Sequence, residues 1–308
     1  MLINIFEELT WNQFVSINEY KNLPLQEQVS YYKQYLSDLD QARQNLINYQ
    51  NKGRLVPSEG QQSETPGDPV SCAQGMDVVF LIDYTFSMDQ AIGDVKTNVL
   101  TIVNTIITES GGDYRLGLVL FDEYSSSATI SYATSPDYTS LPASQRYINI
   151  NASALKQQVI TAMEVMSDQN LASFQTQLNK INDPGNFPLG NGAGIPEPGG
   201  IGYEQILNGI AGSFRTNVAK LVVLITDAVA GGDDDFYTVG IDGPYLQGLA
   251  ATGLQENVQV LVLSKLAYSA NNSYAILSDG TNGTYSQSTN LSPADIITAI
   301  EDICTQNA

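Results

Sequence analysis

The chain contains no histidine. That removes His-ligated zinc, Ser-His-Asp relays and every imidazole general base from the chemistry open to it. Basic residues are scarce: 13 Lys and Arg stand against 33 Asp and Glu, a formal charge of −20. Nucleic-acid binding needs a cationic footprint, so that class of partner is excluded. The acidic excess either gathers cations near the surface or simply keeps the chain soluble. No apolar run is long enough to cross a bilayer, so membrane insertion is not expected. The opening residues, Met1-Leu-Ile-Asn-Ile-Phe-Glu-Glu, have no basic n-region and no cleavage pattern, and read as no signal peptide.

Cysteine is nearly absent, with only Cys72 and Cys304. They flank a region that reads as one domain, and the ends of a domain often lie close together. A disulfide is the expectation, two unpaired thiols the alternative. Closing so long a loop stabilises by roughly 4–5 kcal/mol in the chain-entropy model. The bond would imply a final location outside a reducing cytosol.

What is present divides the 308 residues into three parts. Residues 1–55 read as a helical docking or anchoring segment. Pro24 suits a first helical position, and Leu25, Val29, Tyr32, Leu36, Leu39 and Leu46 follow a four-three spacing that Arg43 interrupts. Such a seam either packs on its own domain or joins a larger assembly. Residues 56–74 read as a linker rich in Pro, Gly and Ser. From 75 to 308, strands and helices alternate. Strands are expected at 78–82, 114–121, 128–132, 220–226, 258–263 and 283–287. Helices are expected at 88–108, 154–166, 171–181, 200–211, 245–254, 273–278 and 293–304. Apolar strands separated by helices predict an α/β domain with a doubly wound, mostly parallel sheet covered on both faces.

The most informative stretch is Asp77-Val-Val-Phe-Leu-Ile-Asp-Tyr-Thr-Phe-Ser-Met88. A buried-strand run delivers Asp83, Thr85 and Ser87 to the strand's end. One carboxylate and two hydroxyls at alternating positions make an oxygen cradle for a hard divalent cation, and Mg²⁺ favours few protein oxygens with several retained waters. An open vertex on such an ion takes a carboxylate from a partner, which points to recognition rather than catalysis.

Asp83-Tyr-Thr-Phe-Ser87 resembles the Asp-x-Ser-x-Ser pattern of the metal-ion-dependent adhesion site in the von Willebrand factor A (vWA) family, with Thr85 in place of the first serine. The resemblance covers about 75–308. It takes in Leu221-Val-Val-Leu-Ile-Thr-Asp-Ala228, similar to the family's fourth strand and its later site aspartate, Asp227. The second site loop, Gly194-Ile-Pro-Glu-Pro-Gly-Gly-Ile-Gly-Tyr203, departs from the commonest pattern and is similar to the integrin β-subunit variant, which implies Glu197 as a ligand.

The resemblance implies a vWA/Rossmann-like fold holding one Mg²⁺ (or Mn²⁺ or Ca²⁺) through Asp83, Thr85, Ser87, Glu197 and Asp227. Flanking metals of the integrin pattern are not expected, because Gln90, Ala91, Gly192 and Gly194 stand where their ligands would be. Three carboxylates would neutralise the ion more fully and leave a modest pull on an incoming acid. The implied function is a non-enzymatic, metal-dependent adhesion module. Its partners would be a protein offering an acidic residue and an assembly partner for residues 1–55. The alternative is a structural component of a phage virion, tail- or head-associated, with the vWA domain mainly a scaffold. The location expected is extracellular-facing or virion.

Overall fold

A computed structural model describes residues 21–29, 31–33, 70–122, 146–151, 156–183, 189, 196–231, 240, 242–265, 273–288 and 293–306. The strand expected at 128–132 and most of segments 1–55 and 56–74 lie outside these residues. Of the N-terminal segment, 25–29 and 31–33 are helical, and the Pro24 carbonyl accepts the Glu27 and Gln28 N–H groups at 2.9 and 3.0 Å.

One seven-stranded sheet runs in the order β3-β4-β2-β1-β5-β6-β7. The strands are β1 (Met76–Asp83), β2 (Tyr114–Phe121), β3 (Arg146–Asn151), β4 (Lys156–Glu164), β5 (Ala219–Thr226), β6 (Val258–Lys265) and β7 (Thr284–Ser288). All neighbours pair in parallel except β4, which runs antiparallel to both β2 and β3. The helices are α1 (Asp89–Glu109), α2 (Leu171–Lys180), α3 (Gly199–Leu207), α4 (Asp242–Gln255), α5 (Ala275–Gly280) and α6 (Pro293–Gln306).

The two-residue period of each strand sorts its side chains onto two cores. Val78, Phe80 and Ile82 of β1 face a core shared with α1, α2 and α6. Val79 and Leu81 face one shared with α3, α4 and α5. β5 repeats the pattern with Leu221, Val223 and Ile225 against Val222 and Leu224. Helix α1 buries Ile92, Val95, Val99, Ile102, Val103 and Ile106, a stripe at three- and four-residue spacing. The doubly wound architecture expected from the sequence is therefore present.

One expected element is wrong in kind. Residues 154–166 were expected as a helix, and the chain there is strand β4, preceded by the unforeseen β3. Ile160 and Ala162 pack in one core and Met163 in the other, so residues 160–163 are buried on both faces and lose the polar-apolar alternation that marks a half-buried strand. Its pairing covers the edge of β2 at Leu118–Phe121, whose N–H and C=O groups would otherwise face no strand. Asn170 then ties β2 to β4. Its Oδ1 accepts the Leu116 N–H at 2.9 Å, and its Nδ2 donates to Leu116 O at 2.8 Å and Glu164 Oε1 at 2.9 Å.

The amino-terminal pole of the sheet is closed by ions and by sulfur. Buried Asp77 accepts hydrogen bonds from Arg115 and from the backbone and side chain of Arg215, which also pairs with Asp113 at 2.5 Å. Burial pushes the Asp77 carboxyl up, but the two arginines outweigh it and hold the group below its usual range. Cys72, in a single 3₁₀ turn, is bonded to Cys304 of α6 with 5.4 Å between Cα atoms. Among the described residues, no helix is long and apolar enough to cross a membrane.

Candidate metal centre

The chain leaves β1 toward β2 on one side and places β5, β6 and β7 on the other. Strand order thus reverses at the β1–β5 boundary, where an open α/β sheet forms a crevice outside its carboxyl ends. β1 and β5 are parallel with Ile82 opposite Ile225, so the next residues, Asp83 and Thr226, meet at that crevice.

Asp83 is fully buried and holds three hydrogen bonds. The Thr85 N–H and Oγ1–H donate to its Oδ1 at 3.0 and 2.7 Å, and Thr226 Oγ1 donates to its Oδ2 at 2.8 Å. A 3₁₀ turn at Phe86–Met88 follows, closed by Met88 N–H to Thr85 O at 3.0 Å. This turn carries Ser87 back over the crevice, where its hydroxyl donates to Asp227 Oδ1 at 3.0 Å. The chain is closed by a 3.2 Å hydrogen bond between Thr85 Oγ1 and Ser87 Oγ, in which either hydroxyl can donate. Asp227 Oδ2 is also buried and accepts no hydrogen bond from the described residues.

Burial dominates the electrostatics of both carboxylates. Burial pushes the Asp83 carboxyl up to about 7, and the nearby Asp227 charge adds to the shift against the Thr85 and Thr226 hydrogen bonds. Burial raises Asp227 as well, opposed by its Ser87 hydrogen bond and by the Lys265 ammonium.

Of the five residues singled out in the sequence, four are joined in this hydrogen-bonded chain: Asp83, Thr85, Ser87 and Asp227. Glu197 is buried, at 2 % exposure, on the loop entering α3. That loop forms a one-residue parallel bridge with Ala230, three positions beyond Asp227. The charges of Asp83 and Glu197 both act on the Tyr274 phenol. Among the described residues, no three His, Cys, Asp or Glu side chains form a metal-binding group, so the expected convergence of three carboxylates is not seen, and the hydrogen-bonded chain itself carries two, Asp83 and Asp227.

Sequence reasoning missed Thr226, Ser273 and Tyr274. Thr226 was legible only as the end of an apolar strand, because its bond to Asp83 depends on the β1–β5 register. Nothing in the local sequence marks Ser273 or Tyr274.

Oxygen donors with two carboxylates suit a hard divalent cation that keeps several waters. A positive ion here would give Asp227 Oδ2 a partner and relieve the two raised carboxyls. The residues present therefore fit such an ion.

No protein-family model matches the chain, and no curated protein does. Similar solved structures include the VWA domain of SpRpn10, at 14 % identity and TM-score 0.42 over 72 % of this chain and 93 % of that one. The pilus adhesin SpaC from Lactobacillus rhamnosus GG is similar at 13 % identity and TM-score 0.45, over 80 % of this chain and 33 % of that one. The manganese-loaded TRAP protein of Plasmodium vivax is similar at 13 % identity and TM-score 0.41, over 77 % of this chain and 76 % of that one.

Proposed function

We propose that this domain is a divalent-cation-dependent protein-binding module of the vWA type, and that it has no catalytic activity of its own. The observation that carries the reading is the convergence of Asp83, Thr85, Ser87 and Asp227 in one hydrogen-bonded chain, with the buried Asp227 Oδ2 accepting no hydrogen bond from the described residues. Asp83, Thr85, Ser87 and Asp227 would hold the ion, and Glu197 would add negative charge from the second loop. The ion, Mg²⁺ or Mn²⁺, would supply an open vertex to a carboxylate of a partner protein.

The rest of the chain suits that role. At a net charge of −20 the protein as a whole repels acidic partners, and a bound cation would offset that locally. Phe86, between two of the proposed ligands, is 70 % exposed and gives the partner an apolar contact beside its acid. Leu25 and Val29 of the N-terminal seam are exposed and available to an assembly partner, which supports residues 1–55 as an anchor. Absence of histidine and of any free thiol removes the imidazole base and the cysteine nucleophile. The disulfide favours a location outside reducing compartments.

The test is a thermal-melting and calorimetric titration of the full chain with Mg²⁺ and Mn²⁺. Wild-type protein should melt higher with either ion and return to baseline in chelator, while Asp83→Ala should not respond. A wild type indifferent to both ions defeats the reading and leaves the domain as a scaffold, the role it would have in a virion.

A further inference from the structure

Two hydroxyls outside the cation-facing chain grip the loops that flank it. Tyr274, buried at the entry to α5, donates its O–H to the Glu197 carbonyl at 3.0 Å. The same oxygen accepts the Gly199 N–H at 3.1 Å, a proton shared with Glu197 O at 2.9 Å. One residue earlier, Ser273 Oγ accepts the Ala230 N–H at 2.9 Å. The two gripped loops are also laced to each other. Glu197 N–H donates to Val229 O at 3.0 Å, and Gly231 N–H donates to Glu197 O at 2.9 Å. Adjacent residues of one segment therefore hold both sides of the Glu197–Ala230 bridge.

The fit admits no extra atom. A Cβ at Gly199 would lie 2.3 Å from the Tyr274 hydroxyl oxygen, so glycine is required for the loop to come this close. Burial raises the Tyr274 phenol well above its ordinary value, and the Asp83 and Glu197 charges add to the shift, so the hydroxyl remains a donor.

We propose that Ser273 and Tyr274 are positioning residues forming a clasp, which locks the Glu197 loop to the Ala230 loop and so fixes Glu197 relative to Asp83. The functional consequence rests on the cation-binding reading; the clasp itself does not. Without the Tyr274 hydroxyl, Glu197 keeps its bonds to Val229 and Gly231, but the Glu197 loop loses its tie to the segment entering α5, and the bridge opens more often while the sheet stays closed.

The experiment compares Tyr274→Phe and Ser273→Ala with wild type, using Tyr203→Phe as control. Tyr203 is another fully buried tyrosine of the same core, its hydroxyl 3.5 Å from Val258 O. Amide hydrogen exchange on the full chain is read at Glu197, Gly199, Ala230 and Gly231, and Mn²⁺ affinity is read by calorimetry. Tyr274→Phe should speed exchange at Glu197, Gly199 and Gly231 by about tenfold and weaken Mn²⁺ binding by a similar factor, the scale of one buried hydrogen bond. Ser273→Ala should act first at Ala230. Tyr203→Phe should leave both readouts within about twofold of wild type, since it removes only a long contact.

Unchanged exchange in Tyr274→Phe overturns the clasp, as does an equal response in Tyr203→Phe. Faster exchange with unaltered Mn²⁺ affinity overturns its positioning role. If wild type binds no Mn²⁺, the cation reading fails, and the exchange pattern alone decides whether the clasp exists.

Discussion

Thr226 donates its hydroxyl to Asp83 Oδ2 across the β1–β5 boundary at 2.8 Å, and both side chains are fully buried. The bond joins two residues 143 positions apart and steadies the Asp83 carboxylate. Thr226→Val keeps the shape and removes the donor. It should destabilise the cation-free protein at neutral pH by about 1–3 kcal/mol, the cost of leaving a buried acceptor unmade. Denaturant titration in chelator checks this, and an unchanged midpoint would count against it.

The raised Asp83 carboxyl gives stability a sign with pH. Its folded value of about 7 exceeds the ordinary 3.8, so its stabilising contribution is complete below about 4 and is lost as pH rises through about 7. In chelator the loss across that window should be on the order of 4 kcal/mol. Asp83→Asn cannot titrate there and should show a correspondingly shallower decline. Parallel melting curves for the two proteins from pH 4 to pH 7 would refute the assignment.

Cation binding should oppose the proton. A ligand carboxyl protonated below about 7 must lose its proton to coordinate, so Mn²⁺ affinity should weaken by up to about tenfold per pH unit on acidification below that point. Calorimetry at several pH values, in buffers of different ionisation heat, measures the proton released. No release at pH 6 would exclude Asp83 as a ligand.

At the opposite pole, Asp77→Ala removes the acceptor shared by Arg115 and Arg215. Breaking a buried pair from one side should cost about 3–5 kcal/mol. The site lies six residues along β1, about 20 Å away, so Mn²⁺ affinity should be unchanged once the variant is folded. A matching loss of affinity would mean that the two poles are coupled.

Most of the architecture was legible because β1, β5 and β6 are apolar on both faces and the helices between them carry clear stripes. Asp83, Thr85 and Ser87 were legible because a local alternation places them on one turn. Strand β4 was not, since burial on both faces erased its period and its pairing with β2 is fixed by tertiary contact. Thr226 escaped for a related reason: only the parallel register brings it opposite Asp83. Tyr274 lies 75 residues from Gly199 in sequence, and no periodicity foretells a contact of that kind.

The Cys72–Cys304 bond closes a covalent ring of chain around the entire sheet. Traction on the polypeptide beyond the two sulfurs would pass directly from one to the other. The ladders between strands would carry no load, and the crevice above β1 would keep its shape while the molecule was pulled.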